Sequence, residues 1–142
     1  MKKIRELVEQ KGRDIWSVGP QDSVFEAIEL MAEKGIGALL VMEDGKPVGI
    51  LSERDYARKV ILMGRASRET PVREIMSSPL IFADVEQSVE DCMSLMTDHR
   101  IRHLPVLDNH ELAGVVSIGD LVKAIIDEQK FTIKQLETYI AS

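Results

Sequence analysis

Several residue types are scarce in this sequence, and each shortage excludes a class of protein. The single cysteine, Cys92, leaves no possibility of an intrachain disulfide. No apolar run reaches the roughly 20 residues of a membrane-spanning helix. The start of the chain, MKKIRELVEQKGRD, is charged throughout and lacks the apolar segment of a signal peptide. We therefore expect a cytoplasmic protein that does not associate with a membrane.

Motifs of metal-binding, catalytic and phosphate-binding sites are also missing from the sequence. There is no Cys-x-x-Cys, no His-Glu-x-x-His, no Gly-x-Ser-x-Gly and no phosphate loop ending in Gly-Lys-Ser/Thr. The three histidines, His99, His103 and His110, do not follow a metal-ligand spacing, and no nucleophile has an evident base. We expect no metal site, no catalytic residues and no enzymatic activity. The net charge of -6 also argues against a nucleic-acid partner.

What the chain does contain is an internal repeat. Gly49-Ile-Leu-Ser-Glu-Arg-Asp55 returns 65 positions later as Gly114-Val-Val-Ser-Ile-Gly-Asp120, and residues 21–60 align without a gap on residues 86–125, with ten identities. Further upstream, Ile4-Arg-Glu-Leu-Val8 is echoed by Val72-Arg-Glu-Ile-Met76. A period this long indicates two copies of one supersecondary unit that cannot bury its apolar face alone.

Local patterns predict the same elements in each copy. Ser23 and Ser88 each begin a helix with an acidic residue three positions on, which is a capping box. Short apolar runs joined by Asp44-Gly45 and by Asp108-Asn109 predict β-hairpins. The predicted fold is α+β, with the order β-α-β-β-α twice. We place repeat 1 with its N-terminal helix at 1–68 and repeat 2 with its C-terminal helix at 69–142. Thr132 and Gln135 predict a separate last helix after one that ends near Gln129.

The repeated Ser-x-x-Asp, Ser52/Asp55 and Ser117/Asp120, has two physical interpretations. It is a capping box in itself, and such pairs are common at helix starts. Alternatively, the free N–H groups of a helix start attract an anion, and a carboxylate one turn in can accept hydrogen bonds from two neighbouring hydroxyls, such as those of a ribose. The preceding glycine would let a bound group approach the strand. Repetition in register favours the second interpretation without excluding the first.

At this point the sequence resembles a tandem pair of CBS domains, also called a Bateman module. Val48–Tyr56, Ile101–Asp108 and Ala113–Leu121 carry the resemblance, which covers nearly the whole chain. It implies two repeats packed with pseudo-twofold symmetry through their small sheets, and two clefts that bind adenine nucleotides or related adenosyl compounds. The Asp of each helix start would hold the ribose hydroxyls, with the Ser nearby.

The resemblance also implies which residues share each cleft. One cleft would combine a helix start of repeat 1 with residues of repeat 2: Ser52, Arg54, Asp55, Leu80, Ile81, Ile101, Arg102 and His103. The other would combine the helix start of repeat 2 with residues of repeat 1: Ser117, Asp120, Ile15, Trp16, Ile36, Gly37 and Ala38.

The two clefts are not equivalent in charge. Arg102 and His103 stand where members of the family often place phosphate-binding cations, whereas their counterparts Gly37 and Ala38 are uncharged. Guanidinium groups bind phosphate through paired, charge-assisted hydrogen bonds. We therefore expect the Asp55 cleft to be the better nucleotide phosphate site. Trp16 either packs in the core or lies against an adenine base.

Three functions compete. The leading hypothesis is a non-catalytic regulatory sensor that binds AMP, ADP or ATP, forms a homodimer and acts on an unknown protein effector in trans. NAD(H) or S-adenosylmethionine are alternative ligands, because they share the ribose. The second hypothesis is a structural dimerisation module with vestigial clefts, paired through helices 23–34 and 52–63. The third is an enzyme that uses a nucleotide.

Overall fold

A computed structural model describes residues 2–12 and 14–141. Its helices and strands follow the predicted order twice, and the α+β class is confirmed. The α3 helix continues as one wider π-helical turn over Ala57–Ile61, and a short 3₁₀ turn spans Val72–Glu74. The elements are α1 Ile4–Lys11, β1 Ser17–Val18, α2 Val24–Lys34, β2 Ala38–Glu43, β3 Lys46–Ser52, α3 Glu53–Tyr56, β4 Ala83–Asp84, α4 Val89–His99, β5 His103–Asp108, β6 Glu111–Ser117 and α5 Ile118–Ala141.

The strands form two three-stranded sheets of identical topology. In each sheet the middle strand pairs in parallel with the short strand before it and antiparallel with the strand after it, in the orders β1-β2-β3 and β4-β5-β6. Both hairpin turns place two consecutive residues at positive φ. Asp44 and Gly45 do so in the first, and Asn109 and His110 in the second. This is the backbone that tight two-residue hairpins require.

The chain separates into two compact units, and the division into repeats at residues 1–68 and 69–142 stays a prediction. The first-repeat unit contains residues 15–80, and the second-repeat unit joins the described residues before 15 to those from 81 onward. Helix α1 therefore packs within the unit of the second sheet, against β6. Residues 72–76 instead pack with the first sheet.

The two similar segments, Ile4–Val8 and 72–76, make equivalent contacts in their units. The N–H of Ile4 donates to the carbonyl of Gln87 at 2.9 Å, and the N–H of Val72 donates to that of Asp22 at 2.8 Å. Asp22 and Gln87 are equivalent positions of the repeat. Ion pairs of Arg5 with Glu86 and with Asp108 add to the first of these contacts.

The repeated glycine is explained by these segments. A Cβ on Gly49 would lie 2.5 Å from Met76 Sδ, and one on Gly114 would lie 3.2 Å from Val8 Cγ1. Val8 and Met76 are the last residues of the two echoes. Within each unit, therefore, the glycine leaves room for the segment that ends at Met76 or at Val8. From the sequence alone, this room was expected to serve a bound group.

Each unit has its own apolar core, formed between its helices and one face of its sheet. Cys92 is fully buried in the second core, as its place among apolar residues predicted. The large, fully buried side chains of the first core include Val24, Leu39, Val41, Leu51, Val60 and Ile75; those of the second include Ile4, Met96, Leu104, Val106, Val116 and Leu121.

The C-terminal helix differs from the prediction. Instead of ending near Gln129 and restarting at Thr132, α5 runs without interruption from Ile118 to Ala141. The Thr132 hydroxyl donates to the carbonyl of Glu128 at 3.1 Å and so caps nothing. No glycine or proline lies between Asp120 and Ala141 to end the helix. The predicted separate last helix is therefore wrong.

Candidate functional site

The first candidate site residue, Asp55, is fixed where β3 passes into α3. The Asp55 N–H donates to the Ser52 hydroxyl at 3.1 Å, and the Ser52 N–H donates to Asp55 Oδ2 at 3.0 Å. These two bonds form a complete capping box. The Ser52 hydroxyl also lies 3.1 Å from Oδ2. The capping interpretation of this motif is confirmed, and it leaves the carboxylate in one defined orientation.

The other carboxylate oxygen of Asp55 faces a hydroxyl and a cation. The Ser77 hydroxyl lies 3.3 Å from Oδ1, and Lys59 Nζ also lies 3.3 Å from it. Lys59 Nζ donates as well to the carbonyl of Ile75 at 3.0 Å. The Asp55 side chain keeps 14% of its surface exposed. A ligand could therefore contact the two carboxylate oxygens only through this small exposed part of the side chain.

Asp120 has the equivalent position where β6 passes into α5. The Ser117 N–H donates to Asp120 Oδ2 at 2.8 Å, and the Asp120 N–H donates to the Ser117 hydroxyl at 3.1 Å. Lys11 of α1 lies 2.7 Å from Oδ2 and also donates to the carbonyl of Val115 at 3.1 Å. This carboxylate is thus capped in the same way and paired more closely with a lysine.

The electrostatic surroundings keep Asp120 ionised. Partial burial raises the pKa of this carboxyl. The hydrogen bond from Lys11, the hydrogen bond from the Ser117 backbone, the charge of Lys11 and the Ser117 side chain act in the opposite direction. Together they outweigh burial and hold the pKa of Asp120 below its ordinary value. A carboxylate rather than a carboxylic acid is therefore present at neutral pH.

A third capping box provides a comparison. At the start of α4, the Asp91 N–H donates to the Ser88 hydroxyl at 3.0 Å and the Ser88 N–H donates to Asp91 Oδ2 at 3.4 Å. Among the described residues, no lysine or arginine nitrogen lies within 4 Å of the Asp91 carboxylate. A capping box by itself therefore does not place a cation beside its carboxylate. The carboxylates of Asp55 and Asp120, by contrast, each lie beside a lysine.

Within the first-repeat unit, the residues that enter β2 lie beside Asp55. The carbonyl of Gly37 accepts from the Glu53 N–H at 3.0 Å, and Ala38 pairs with Ser52 across the hairpin. Trp16 precedes β1 and is 40% exposed, so it is not a core residue. Lys34 Nζ lies 4.2 Å from the centroid of its ring. Ile15, Ile36, Arg54 and Leu80 are all partly exposed.

Within the second-repeat unit, the residues that enter β5 lie beside Asp120. The carbonyl of Arg102 accepts from the Ile118 N–H at 2.8 Å, and His103 pairs with Ser117. The Arg102 side chain is exposed, whereas Ile81, Ile101 and His103 are partly exposed. Each unit therefore brings the predicted residues that enter its middle strand close to its own capped acid. The grouping of residues from different repeats, implied by the family resemblance, stays a prediction.

The two lysines were missed by the sequence analysis. Lys59 lies four residues after Asp55, and this spacing on a helix is a recognisable signal for an ion pair. Lys11 had no such signal, because it lies at the far end of the chain from Asp120. Beside Lys11 the surface of the second-repeat unit has an open cavity of about 220 Å³, lined by Lys2, Leu7, Gln10, Lys11, Asp120, Lys123, Ala124 and Asp127.

The described residues form neither a cluster of metal ligands nor a helix able to span a membrane. Among residues 2–12 and 14–141, no three His, Cys, Asp or Glu side chains come together as metal ligands. Over the same residues, no helix combines the length and the apolar character needed to cross a bilayer.

The two β-α-β-β-α units, each with a capped acid where its last strand meets a helix, define a protein built from two small repeated domains. The sequence pattern of the CBS domain matches residues 4–61 and 72–127. The chain belongs to the CBS-domain family.

Known proteins agree with this assignment. A CBS-domain protein of Burkholderia ambifaria has 50% sequence identity and a TM-score of 0.86, with 90% of this chain and 96% of that chain covered. The CBS-domain containing protein ATU1752 of Agrobacterium tumefaciens has 38% identity and a TM-score of 0.82, with 87% and 98% covered. The mitochondrial CBS domain-containing protein CBSX3 of Arabidopsis thaliana is 38% identical over 96% of this chain and 71% of its own length.

Proposed function

We propose that this protein is a non-catalytic regulatory module that binds an adenine nucleotide and acts on a protein partner in trans. The observation that carries the proposal is the matched pair of carboxylates, Asp55 and Asp120. Both are held at a strand-to-helix junction by a serine, and both lie beside a lysine. A fixed, ionised carboxylate is suited to accept two hydrogen bonds from the vicinal hydroxyls of a ribose.

The two acids are not expected to bind equally. A ribose that approaches Asp120 must compete with Lys11 at 2.7 Å, whereas the lysine beside Asp55 lies at 3.3 Å. This difference agrees with the charge argument from the sequence, in which Arg102 and His103 serve the Asp55 ligand. We therefore propose AMP, ADP or ATP at Asp55. Asp120 is proposed as a weaker site, which accepts an uncharged nucleoside portion more readily.

Isothermal titration calorimetry with AMP, ADP and ATP tests this proposal. Asp55→Ala is expected to weaken binding by about tenfold or more, because it removes charge-assisted hydrogen bonds. Asp91→Ala is the matched control, since it removes a capping acid of the same kind outside the proposed site. Absence of heat with all three nucleotides would overturn the proposal. An equal loss in Asp55→Ala and Asp91→Ala would assign the effect to stability alone.

An interaction module is a second candidate, and a specific observation favours it. Several large apolar side chains are exposed on the described surface, including Leu62 and Met63 after the π-helical turn and Phe131 on α5. Such surfaces mark interaction sites in soluble proteins. A thermal-shift series separates the two candidates, because a ligand that binds the native state raises the melting temperature with concentration. NAD(H) and S-adenosylmethionine belong in the same series as alternative ligands.

A further inference from the structure

A surface cavity of about 220 Å³ lies between α1 and α5 of the second-repeat unit. Helix α5 lines it with Asp120, Lys123, Ala124 and Asp127, which share one face because they are three or four residues apart. Ala124 is buried, and so is Leu7 on the α1 side of the cavity. The cavity therefore combines buried apolar walls with charged groups that are partly or fully exposed.

Positive groups outnumber negative ones around this cavity. Lys2, Lys11 and Lys123 line it together with two carboxylates, Asp120 and Asp127. Lys11 is paired with Asp120 at 2.7 Å. Over residues 2–12 and 14–141, no carboxylate lies within 4 Å of the ammonium group of Lys2 or of Lys123. Apart from the Lys11 pair, the lining thus has two ammonium groups and one carboxylate, so the local charge is positive although the chain carries -6.

Lys11 is positioned to take part in binding an anion. Its ammonium group donates to Asp120 Oδ2 at 2.7 Å and to the Val115 carbonyl at 3.1 Å. An ammonium group has three N–H donors, so one donor remains after these two bonds. The Lys11 side chain also keeps 45% of its surface exposed. An anion in the cavity can therefore reach this lysine as well as Lys2 and Lys123.

We infer that the cavity between α1 and α5 binds a phosphate group, held by Lys2, Lys11 and Lys123. Hydrogen bonds from ammonium groups to phosphate oxygens are charge-assisted, and phosphate has enough oxygens to accept from all three lysines. These attractions oppose the repulsion from Asp127. The phosphate is either free inorganic phosphate or part of a small phosphate ester, whose carbon atoms would lie against Leu7.

A phosphate in the cavity competes with Asp120 for Lys11. When Lys11 turns to the phosphate, Oδ2 of Asp120 loses its closest partner and accepts a ribose hydroxyl more readily. Phosphate in the cavity and a nucleoside at Asp120 therefore strengthen each other, and this coupling is reciprocal. The coupling rests on the proposed function, whereas the phosphate site itself does not.

Calorimetric titration of the full chain with inorganic phosphate tests the inference, at constant ionic strength and with chloride as the reference anion. The wild type is expected to bind phosphate saturably, and Lys2→Gln/Lys123→Gln is expected to weaken binding by about tenfold or more. Lys130→Gln/Lys134→Gln is the matched control, because it removes the same charge from exposed positions of α5 outside the cavity. Absence of saturable binding, or an equal loss in the two double variants, would overturn the inference.

Two further titrations locate the phosphate and identify its source. Arg102→Ala removes the cation proposed for the nucleotide phosphate, so binding of inorganic phosphate is expected to survive this change. Its loss would move the anion to the nucleotide site and contradict the inference. Glycerol 3-phosphate represents a phosphate ester. Tighter binding of this ester than of inorganic phosphate would identify an ester as the ligand, and weaker binding would identify free phosphate.

Adenosine titration of Asp55→Ala tests the coupling, because Asp120 is then the remaining proposed ribose site. Phosphate is expected to tighten adenosine binding several-fold, and Lys11→Met in the same background is expected to abolish this effect. An adenosine affinity that phosphate leaves unchanged would show that Lys11 stays on Asp120, and the coupling would be wrong. Failure of adenosine to bind would count against the proposed function alone, because the phosphate titrations use no nucleoside.

Discussion

Nζ of Lys11 lies 2.7 Å from Oδ2 of Asp120, although 109 positions separate these residues in sequence. The contact joins the end of α1 to the first turn of α5 within one compact unit. It contributes both to the packing of α1 and to the charge state of a proposed ligand-binding acid. Removing the lysine should therefore change the stability of the protein in a way that depends on pH.

We expect Lys11→Met to lower the free energy of unfolding at pH 7 by about 0.5 kcal/mol, as for other partly exposed ion pairs. The pKa of Asp120 is lowered in the folded protein, so its contribution is present above the unfolded-state pKa. That contribution is lost as the pH falls through the folded-state pKa. Urea unfolding between pH 7 and pH 2 measures the difference. Lys134→Met, in an exposed turn of α5, should show no such pH dependence, and a pH-independent loss in Lys11→Met would contradict the prediction.

Gly49→Ala should be destabilising by about 1–3 kcal/mol, the usual range for overpacking. Its Cβ would lie 2.5 Å from Met76 Sδ and 3.2 Å from the Ser77 carbonyl oxygen. Met76→Ala in the same chain should recover part of the loss, because the sulfur is removed while the backbone stays. Chemical denaturation of the single and double variants gives the coupling free energy. Additive changes in the free energy of unfolding would show that the Met76 side chain does not cause the loss at Gly49.

Gly114→Ala offers the equivalent test in the second-repeat unit. The added Cβ would lie 3.2 Å from Val8 Cγ1, a closer approach than most carbon contacts but one that a small shift relieves. We expect a smaller loss than for Gly49→Ala, measured in the same way. The loss should disappear in Gly114→Ala/Val8→Ala after allowance for Val8→Ala alone. A larger loss than at Gly49 would contradict the ranking.

Most of the fold could be predicted because its signals are local and occur twice. Ser88 and Asp91 form the complete predicted capping box, whereas at Ser23 the bond from the Glu26 N–H to the serine hydroxyl is the half of the box that forms. The hairpin turn at Asp44-Gly45 has the expected positive φ, and Asn109 lies in a hairpin turn as predicted. Thr132 misled the prediction because the same hydroxyl that can cap a helix can also bond to a carbonyl four residues before it. Nothing in the local pattern distinguishes the two cases.

The surroundings of the candidate site could be predicted only in part. The capped carboxylates follow from Ser-x-x-Asp, and Lys59 follows from helical spacing. Lys11 depends on the packing of α1 with the second sheet, which is a long-range relationship. The echo of Ile4–Val8 in 72–76 was visible in the sequence, but its repetition alone did not show which sheet each copy would contact.

The second hairpin has a suboptimal turn, which His110→Gly should improve. Asn109 and His110 both adopt positive φ, at 51° and 68°, and a side chain beyond Asn or Asp is disfavoured there. We expect His110→Gly to raise the free energy of unfolding by up to about 1 kcal/mol. Gly45→His, at the equivalent position with φ 77°, should lower it by a similar amount. Thermal and urea unfolding measure both changes, and equal signs in the two variants would contradict this account.

Cys92 should react slowly in the folded protein. Burial first, and the negative charge of Asp91 second, raise the pKa of its thiol to about 11. The thiolate is the reactive form, and it is scarce at pH 8 when the pKa is this high. Alkylation by iodoacetamide at pH 8 should therefore proceed much faster in denaturing urea than in buffer. Comparable rates in the two conditions, followed by mass spectrometry, would show that the second core opens readily.

Comparing the binding of adenosine and of AMP should separate the proposed roles of Asp55 and Arg102. If Asp55 holds the ribose, Asp55→Ala should weaken adenosine and AMP alike, by about tenfold or more. If Arg102 binds phosphate, Arg102→Ala should weaken AMP by a similar factor and leave adenosine nearly unchanged. Calorimetry with both ligands measures these four effects, and Asp91→Ala again controls for capping. Loss of adenosine binding in Arg102→Ala would show that this arginine acts on the fold or on the base, and not on the phosphate.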